Sequence, residues 1–422
     1  MKKMFKNFSI LLFSFIVVVG LVGCGSKNSD SDSSDKKTLT VGFWKGDSTT
    51  EDTARKNAFA AFTKKTGIKI KEKVYNDYDT QLMTDFVGGT APDVFYVDSS
   101  SIPTFYEQGV LEPLDSYIEK QKDFNASDFY EPIYNAFKGS DGKMYGVPKD
   151  YSTLGLYYNE DLLAKAGMTA ADLPKDYSEM EAFLTKLKEK LPDVQPMVFS
   201  ALLARQVYIA QSEGGSIVDS KGNATLDDAK VVSALQVLVD LYQKGLIRTA
   251  SDLGDGWAGD TFGRGGAVIS DEGTWMVSHL NNNFSDLKWG VTELPTVNNQ
   301  QGNMAYAVSY SMNSASKNKD EAWDLINYLT HDAMADYAKA ASVLPSRKSV
   351  AEAIDINANE TMSPFIKAAD YATAWQDGPY LSLISSRYDN MITSALKGEM
   401  TLEAALKEAT VSANQDIENQ IK

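Results

Sequence analysis

The sequence predicts an α/β fold in a chain with room for two lobes, and three observations frame that reading. Strands and helices alternate from Thr38, the chain is long enough for two domain-sized units, and the helix-rich remainder contains no internal repeat. The first strand, Leu39-Thr40-Val41-Gly42-Phe43, alternates in hydropathy and runs into the loop Trp44-Lys45-Gly46-Asp47. A helix follows: Ser48 and Glu51 have capping-box spacing, Ala54, Ala58, Phe59 and Phe62 mark one apolar face, and Gly67 is placed to end it. Ile68, Ile70, Glu72 and Val74 share one side of a second strand, with lysines on much of the other. A helix over Tyr78 to Val87 and a strand over Asp93 to Val97 complete a β-α-β-α-β series, which predicts a mainly parallel sheet covered on both faces. Ligands of such sheets bind beyond the carboxyl ends of the strands, where Trp44 and Asp98 fall.

Apolar residues at helical spacing predict helices over Glu179 to Leu191, Asp227 to Lys244, Lys319 to Thr330, Pro364 to Ala374 and Thr401 to Ile421. Between Gly214 and Thr225 the residues read as a short hairpin. Asp219 and Asn223 there serve turn chemistry, because the twelve-residue calcium-loop pattern is missing.

The single cysteine, Cys24, stands where the apolar run Ile10 to Leu21 gives way to Val22-Gly23-Cys24-Gly25-Ser26. Lys2, Lys3 and Lys6 precede that run, which is short of the roughly 20 residues of a spanning helix and fits the core of a secretory signal. Residues 26–37, SKNSDSDSSDKK, have nothing apolar to bury and read as a disordered tether. Without residues 1–23, which carry three lysines and no acids, 38 basic side chains face 57 acidic ones, a net charge of −19. Nucleic-acid binding needs a basic footprint to displace counterions, so that class is excluded. The two histidines, His279 and His331, belong to no ligand-spaced cluster, and no metal or cofactor is expected.

The six tryptophans divide by context. Trp289, in a strand-like segment, and Trp323, in an amphipathic helix, read as core. Trp44 follows a strand, Trp257 sits in Gly254-Asp255-Gly256-Trp257-Ala258-Gly259, Trp275 in Asp271-Glu272-Gly273-Thr274-Trp275, and Trp375 before Gln376-Asp377-Gly378-Pro379. Indoles on glycine-bearing loops beside carboxylates and amides suit a ligand with apolar C–H faces and many hydroxyls, which describes a sugar.

Gly142-Lys143-Met144-Tyr145-Gly146-Val147-Pro148-Lys149-Asp150-Tyr151-Ser152-Thr153-Leu154-Gly155-Leu156-Tyr157-Tyr158-Asn159-Glu160 resembles the hinge-crossing strand of the extracellular solute-binding proteins that feed ABC importers, in the maltodextrin-binding family. Other stretches resemble that family in the same order. They are the lipobox-like Leu21-Val22-Gly23-Cys24, Gly89-Thr90-Ala91-Pro92-Asp93-Val94-Phe95-Tyr96-Val97-Asp98, Gly109 to Leu114, Phe262 to Ala267 with Gly273-Thr274-Trp275, and Met312 to Trp323. The resemblance implies a two-lobed periplasmic-binding-protein-like fold with a hinge and a central ligand cleft. It implies a lipoprotein signal peptide at 1–23, a tether at 24–37 and a solute-binding domain at 38–422, with one lobe from about 38–149 and 306–345 and another from about 154–303 and 350–422. It further implies lipidation of Cys24 and an extracytoplasmic monomer held at the cell membrane; the long hydrophilic tether favours a Gram-positive surface, with a Gram-negative periplasmic lipoprotein as the alternative. The expected partners are an oligosaccharide, with maltodextrins or other α-glucosides first, and ABC permease subunits.

Carried over by position, the resemblance places ligand contacts at Trp44 and Asp47 on the first loop, at Asp98 and Ser99 after the third strand, and at Asp150, Tyr151 and Ser152 on the hinge strand. Where the archetype has a glutamate this chain has Ser152, so Asp150 is the candidate carboxylate. Trp275 matches the family's stacking tryptophan; Trp375, Tyr208 and Trp257 are further cleft candidates. A surface-anchored glycoside hydrolase is the alternative, with Asp150 and either Asp271 or Glu272 as its carboxylates, although no spacing fixes them flanking a bond. A sugar-sensing or adhesion lipoprotein would use the same fold.

Overall fold

Leu39, Val41 and Phe43 turn one fully buried side of the first strand, β1 (Thr38–Trp44), into the core, as their alternation requires. The computed structural model describes residues 37–45, 49–341 and 343–421. The leader, Cys24, the tether up to residue 36, and Asp47 and Ser48 of the first loop lie outside the described residues. Helix α1 (Thr49–Thr66) carries Glu51 and Asp52 in its first turn and Lys64 and Lys65 in its last, matching the helix dipole at both ends. Strand β2 (Lys69–Tyr75), helix α2 (Tyr78–Gly88) and strand β3 (Val94–Asp98) complete the predicted series, and β2, β1 and β3 pair in parallel. β2 is the edge of the sheet and carries Lys69, Lys71 and Lys73 there, charges that discourage pairing with another chain.

Most of the rest of the first sheet is antiparallel, where the sequence reading expected mainly parallel pairing. Its order is β11-β4-β10-β3-β1-β2, formed with β4 (Gly146–Ser152), β10 (Met304–Met312) and β11 (Leu344–Pro345), while β12 (Thr373–Ala374) pairs with the start of β10. β10 runs against both β3 and β4 because the chain enters it on the way back from a second sheet. That sheet has the order β7-β6-β8-β5-β9, from β5 (Leu154–Asn159), β6 (Gln195–Phe199), β7 (Ile247–Thr249), β8 (Ala267–Gly273) and β9 (Trp289–Thr292). Met197, Phe199, Val268 and Ile269 pack there against Leu184 and Leu235 from helices Met180–Lys190 and Ala229–Gln243.

One residue, Thr153, separates β4 of the first sheet from β5 of the second. It is fully buried, and its hydroxyl donates to the Phe365 carbonyl at 2.7 Å. Asn303, just before β10, takes up the backbone of the neighbouring residue completely: its Oδ1 accepts from Leu154 N at 2.8 Å and its Nδ2 donates to Leu154 O at 2.8 Å. The 373–375 segment joins them, Thr373 N donating to Asn303 O at 2.9 Å and Trp375 N to Ala305 O at 2.8 Å. Three passages of chain are thus fastened at one joint between the sheets.

Two stretches differ from expectation. The helix expected over Pro364 to Ala374 is Ser363–Ala368, since Thr373 and Ala374 extend to pair with β10. The helix Leu381–Leu396 has no counterpart among the helices expected from the sequence. The Gly214 to Thr225 stretch turns back on itself through a Val218–Ala224 bridge, with Asp219 Oδ1 accepting from Lys221 N at 2.8 Å and Asn223 N at 2.9 Å. Trp323 is core, and Trp289 is half-buried with its ring 5.6 Å from that of Tyr157.

Candidate functional site

A cavity of about 770 Å³ opens between the two sheets, within the usual range for small-molecule sites. Trp44 and Asp98 reach it from the carboxyl ends of β1 and β3, and Asp150, Tyr151 and Ser152 from β4. Trp275, just past β8, and Trp257, heading the helix Ala258–Gly263, reach it from the opposite side. The structure thereby brings together seven of the residues singled out in the sequence.

The glycines beside the indoles have a steric purpose. A Cβ on Gly273 would lie 2.2 Å from the Trp275 ring, and one on Gly259 would lie 2.4 Å from the Trp257 ring. Each indole folds back over its own loop only because hydrogen occupies those positions. Trp44 is fixed differently, meeting Tyr78 and Tyr96 edge to face with centroids 5.2 and 5.0 Å away. Trp275 meets Tyr306 of β10 at 5.5 Å, an aromatic contact between the two walls.

The polar groups are concentrated on the β4 side. Lys149 is buried, pairs with Asp150, reaches Glu51 Oε1 at 3.2 Å, and lies 5.0 and 4.8 Å from the ring centroids of Tyr96 and Tyr337. Burial pulls its ammonium down, but Asp150, Tyr96 and Glu51 outweigh that and hold it well above the ordinary lysine value, so it stays charged. Burial raises the Asp98 carboxyl, opposed by the Ser100 N–H and hydroxyl that donate to its Oδ1 at 3.0 and 2.7 Å. The Ser152 hydroxyl accepts from Thr274 N at 3.0 Å and lies 2.8 Å from Thr274 Oγ1, tying β4 to the turn after β8. The Tyr151 ring packs on Tyr130 at 5.3 Å.

Three expected contacts lie elsewhere. Ser99 points to the opposite side of the chain from Asp98, is fully buried, and donates to Trp375 O at 3.3 Å. Tyr208 belongs to the second sheet's core, its hydroxyl 2.8 Å from that of Tyr177, because it sits on the buried face of helix Leu203–Ser212. Arg205, one turn earlier on that helix, faces the cavity instead. Trp375 is nearly buried and lines a separate cavity of about 570 Å³ with Ser100, Thr104, Ser385 and Asp389. Burial pushes Asp389 up to about 6.

Sequence reasoning missed Lys149, Arg205 and Tyr306, and it read Glu272 as a candidate hydrolase carboxylate rather than as an acceptor for the indoles. Lys149 was visible as a charge inside an otherwise strand-like run, and Asp271-Glu272 as an acidic pair ending the apolar Ala267-Val268-Ile269. Neither acid of that pair lines the cavity: Asp271 is buried, and Glu272 is 1% exposed behind the indoles. Among the described residues no His, Cys, Asp and Glu group is arranged to hold a metal ion, and no helix is long and apolar enough to cross a membrane.

Two α/β lobes joined by short crossing strands, with an aromatic cleft at the joint, define the class of protein. Residues 57–364 match the bacterial extracellular solute-binding protein family, and the chain belongs to it. It is 25% identical over 434 residues to the galactooligosaccharide-binding protein of Bacillus subtilis, covering 98% of each chain. It is 24% identical over 437 residues, again covering 98% of each, to a maltooligosaccharide ABC transporter solute-binding lipoprotein of Streptococcus pneumoniae. Among solved structures, an ABC substrate-binding protein of Listeria monocytogenes in complex with cycloalternan superposes with a TM-score of 0.79 at 25% identity, over 91% of this chain and 99% of that one. The fold is the two-lobed one of these binding proteins.

Proposed function

We propose that this protein is the carbohydrate-binding receptor of an ABC import system, capturing an oligosaccharide in the cleft and delivering it to a membrane permease. One observation carries the reading: Trp44, Trp257 and Trp275 come from both walls to one cavity that also holds Asp98 and Asp150. Several sugar rings have stacking surfaces there, and their hydroxyls have acceptors, so burial leaves few polar groups unpaired. Similarity to receptors for galacto- and maltooligosaccharides supports this class, and α-glucosides rank first through the resemblance to the maltodextrin-binding family and the maltooligosaccharide relative. Trp44, Asp98, Asp150, Trp257 and Trp275 are the contacts we assign.

Binding without catalysis fits the acids best. Asp150 is paired with Lys149, while Asp271 and Glu272 lie outside the cavity, so among the described residues no two free carboxylates flank a site for a glycosidic bond. Lipidation at Cys24 and extracytoplasmic attachment to the membrane as a monomer complete the proposal, supported by the leader pattern and by the lipoprotein relative. The test is to incubate the purified protein with maltodextrins and galactooligosaccharides, following thermal unfolding and the sugars themselves. A cognate sugar at a hundred times its Kd stabilises by about 2.7 kcal/mol and is recovered intact. Shortened products, or no stabilisation by any oligosaccharide, would overturn the reading.

A further inference from the structure

Glu272, the last residue but one of β8, directs its side chain at both indoles of the second wall. Oε1 accepts from Trp257 Nε1 at 3.0 Å and from Ser200 Oγ at 2.9 Å. Oε2 accepts from Trp275 Nε1 at 2.9 Å and lies 3.5 Å from Arg205 Nε. The Arg205 guanidinium in turn lies 4.5 Å from the Trp275 ring centroid and 4.8 Å from that of Tyr306. A buried carboxylate can accept from several donors at once, and here two of them are indole N–H groups from loops 18 residues apart in sequence, Trp257 and Trp275.

We infer that Glu272 is a positioning residue for ligand binding, which locks the planes of Trp257 and Trp275 and takes up their N–H groups so that both indoles offer the ligand only their ring faces. This inference rests on the proposed sugar-binding reading and adds a specificity rule to it. The indoles of the second wall read the apolar C–H faces of successive rings, while hydroxyls are read by the charged groups of the cleft, Arg205 among them. A ligand rich in hydrogen-bond acceptors but without such faces finds no free indole donor on this wall.

A neutral amide at this position breaks the arrangement with little change of shape. In Glu272→Gln the amide oxygen serves one indole, whereas the NH₂ confronts the other N–H as donor against donor. Affinity for the oligosaccharide that binds the wild type is expected to fall on the order of tenfold, because the lost bonds are charge-assisted ones. Tryptophan emission and acrylamide quenching should change as one indole is released. In a Trp257→Phe background, where only one N–H needs an acceptor, Glu272→Gln should cost much less, giving a non-additive double-mutant cycle. Circular dichroism and thermal unfolding identify the temperatures at which every variant is folded, and all readings are taken there.

A purely structural glutamate would lower the melting temperature yet leave affinity, emission and quenching of the folded variant unchanged, and that result would overturn the inference, as would an additive cycle. If the wild type binds no oligosaccharide, the sugar-binding reading fails by itself. The inference is then decided by emission and quenching alone: a difference between Glu272→Gln and wild type that vanishes when Trp257 and Trp275 are both phenylalanine supports it, and no difference overturns it.

Discussion

The two walls of the cleft reach a similar end by opposite means. On the β4 wall, ionic groups face the ligand space: Lys149 is buried between Asp150 and Glu51 and close to two tyrosine rings. On the β8 wall the carboxylate stands behind the aromatics, with Glu272 tied to both indole N–H groups. The difference separates two tasks. Polar readout demands charges held at the surface of the cavity and compensated from behind, whereas stacking demands flat rings whose own polar edges are already satisfied.

The largest predicted effect breaks the first wall. Replacing Lys149 by Met leaves Asp150 and Glu51 without the cation between them, and removing one partner of a buried ionic cluster costs about 3–5 kcal/mol. Urea unfolding of Lys149→Met should show that loss in the absence of any sugar. A loss below about 1 kcal/mol would place these acids in a far wetter environment than their burial indicates.

The second wall should respond in affinity rather than in stability. Trp275 is only partly buried, so Trp275→Ala removes mostly a face that a ring would stack on, and affinity should fall by about 1–2 kcal/mol, roughly tenfold. Isothermal titration against the cognate sugar measures it. If Trp275→Ala lowered stability by more than it lowered binding energy, the contrast between the walls would collapse, because Trp275 would then be core.

How far the sequence exposed this arrangement depended on the range of the interactions. The β1-α1-β2-α2-β3 start follows from local periodicity, and with it the placement of Trp44 and Asp98 at strand ends. The glycine-rich settings of Trp257 and Trp275 also marked loops in which a ring lies against the backbone. Long-range pairings were not legible. Nothing near Ala374 foretells that residues 373–374 pair with β10, which cuts the expected helix short and carries Trp375 to a different cavity. Tyr208 and Arg205 share the helix Leu203–Ser212, and only the packing decides which of them faces the core. Glu272 looked like half of a catalytic pair because its partner Trp257 is 15 residues away, on another loop.

The smallest predicted effect sharpens the comparison beyond the main cleft, at the cavity beside Trp375. Asp389 Oδ1 accepts from Leu203 N at 2.7 Å, yet burial still raises its carboxyl to about 6 from an ordinary 3.8. A carboxyl with a raised native pKa binds more protons in the folded than in the unfolded chain between those two values. Its contribution to stability is therefore present at the acidic end and is lost as pH rises from about 4 to about 6. Asp389→Asn keeps an oxygen for Leu203 N and removes the titration. Chemical unfolding across this range should show wild-type stability declining relative to Asp389→Asn, with the gap constant above about pH 7. Glu51 gives a contrasting case: burial raises it, but Lys149 and the Tyr337 hydroxyl outweigh burial and hold it below the ordinary carboxylate value, whereas the hydrogen bonds to Asp389 come from the neutral Leu203 N–H and Ser385 hydroxyl. A stability difference independent of pH would mean that water reaches Asp389 as freely as it reaches an exposed acid, and that the second cavity is open to solvent in the ligand-free protein.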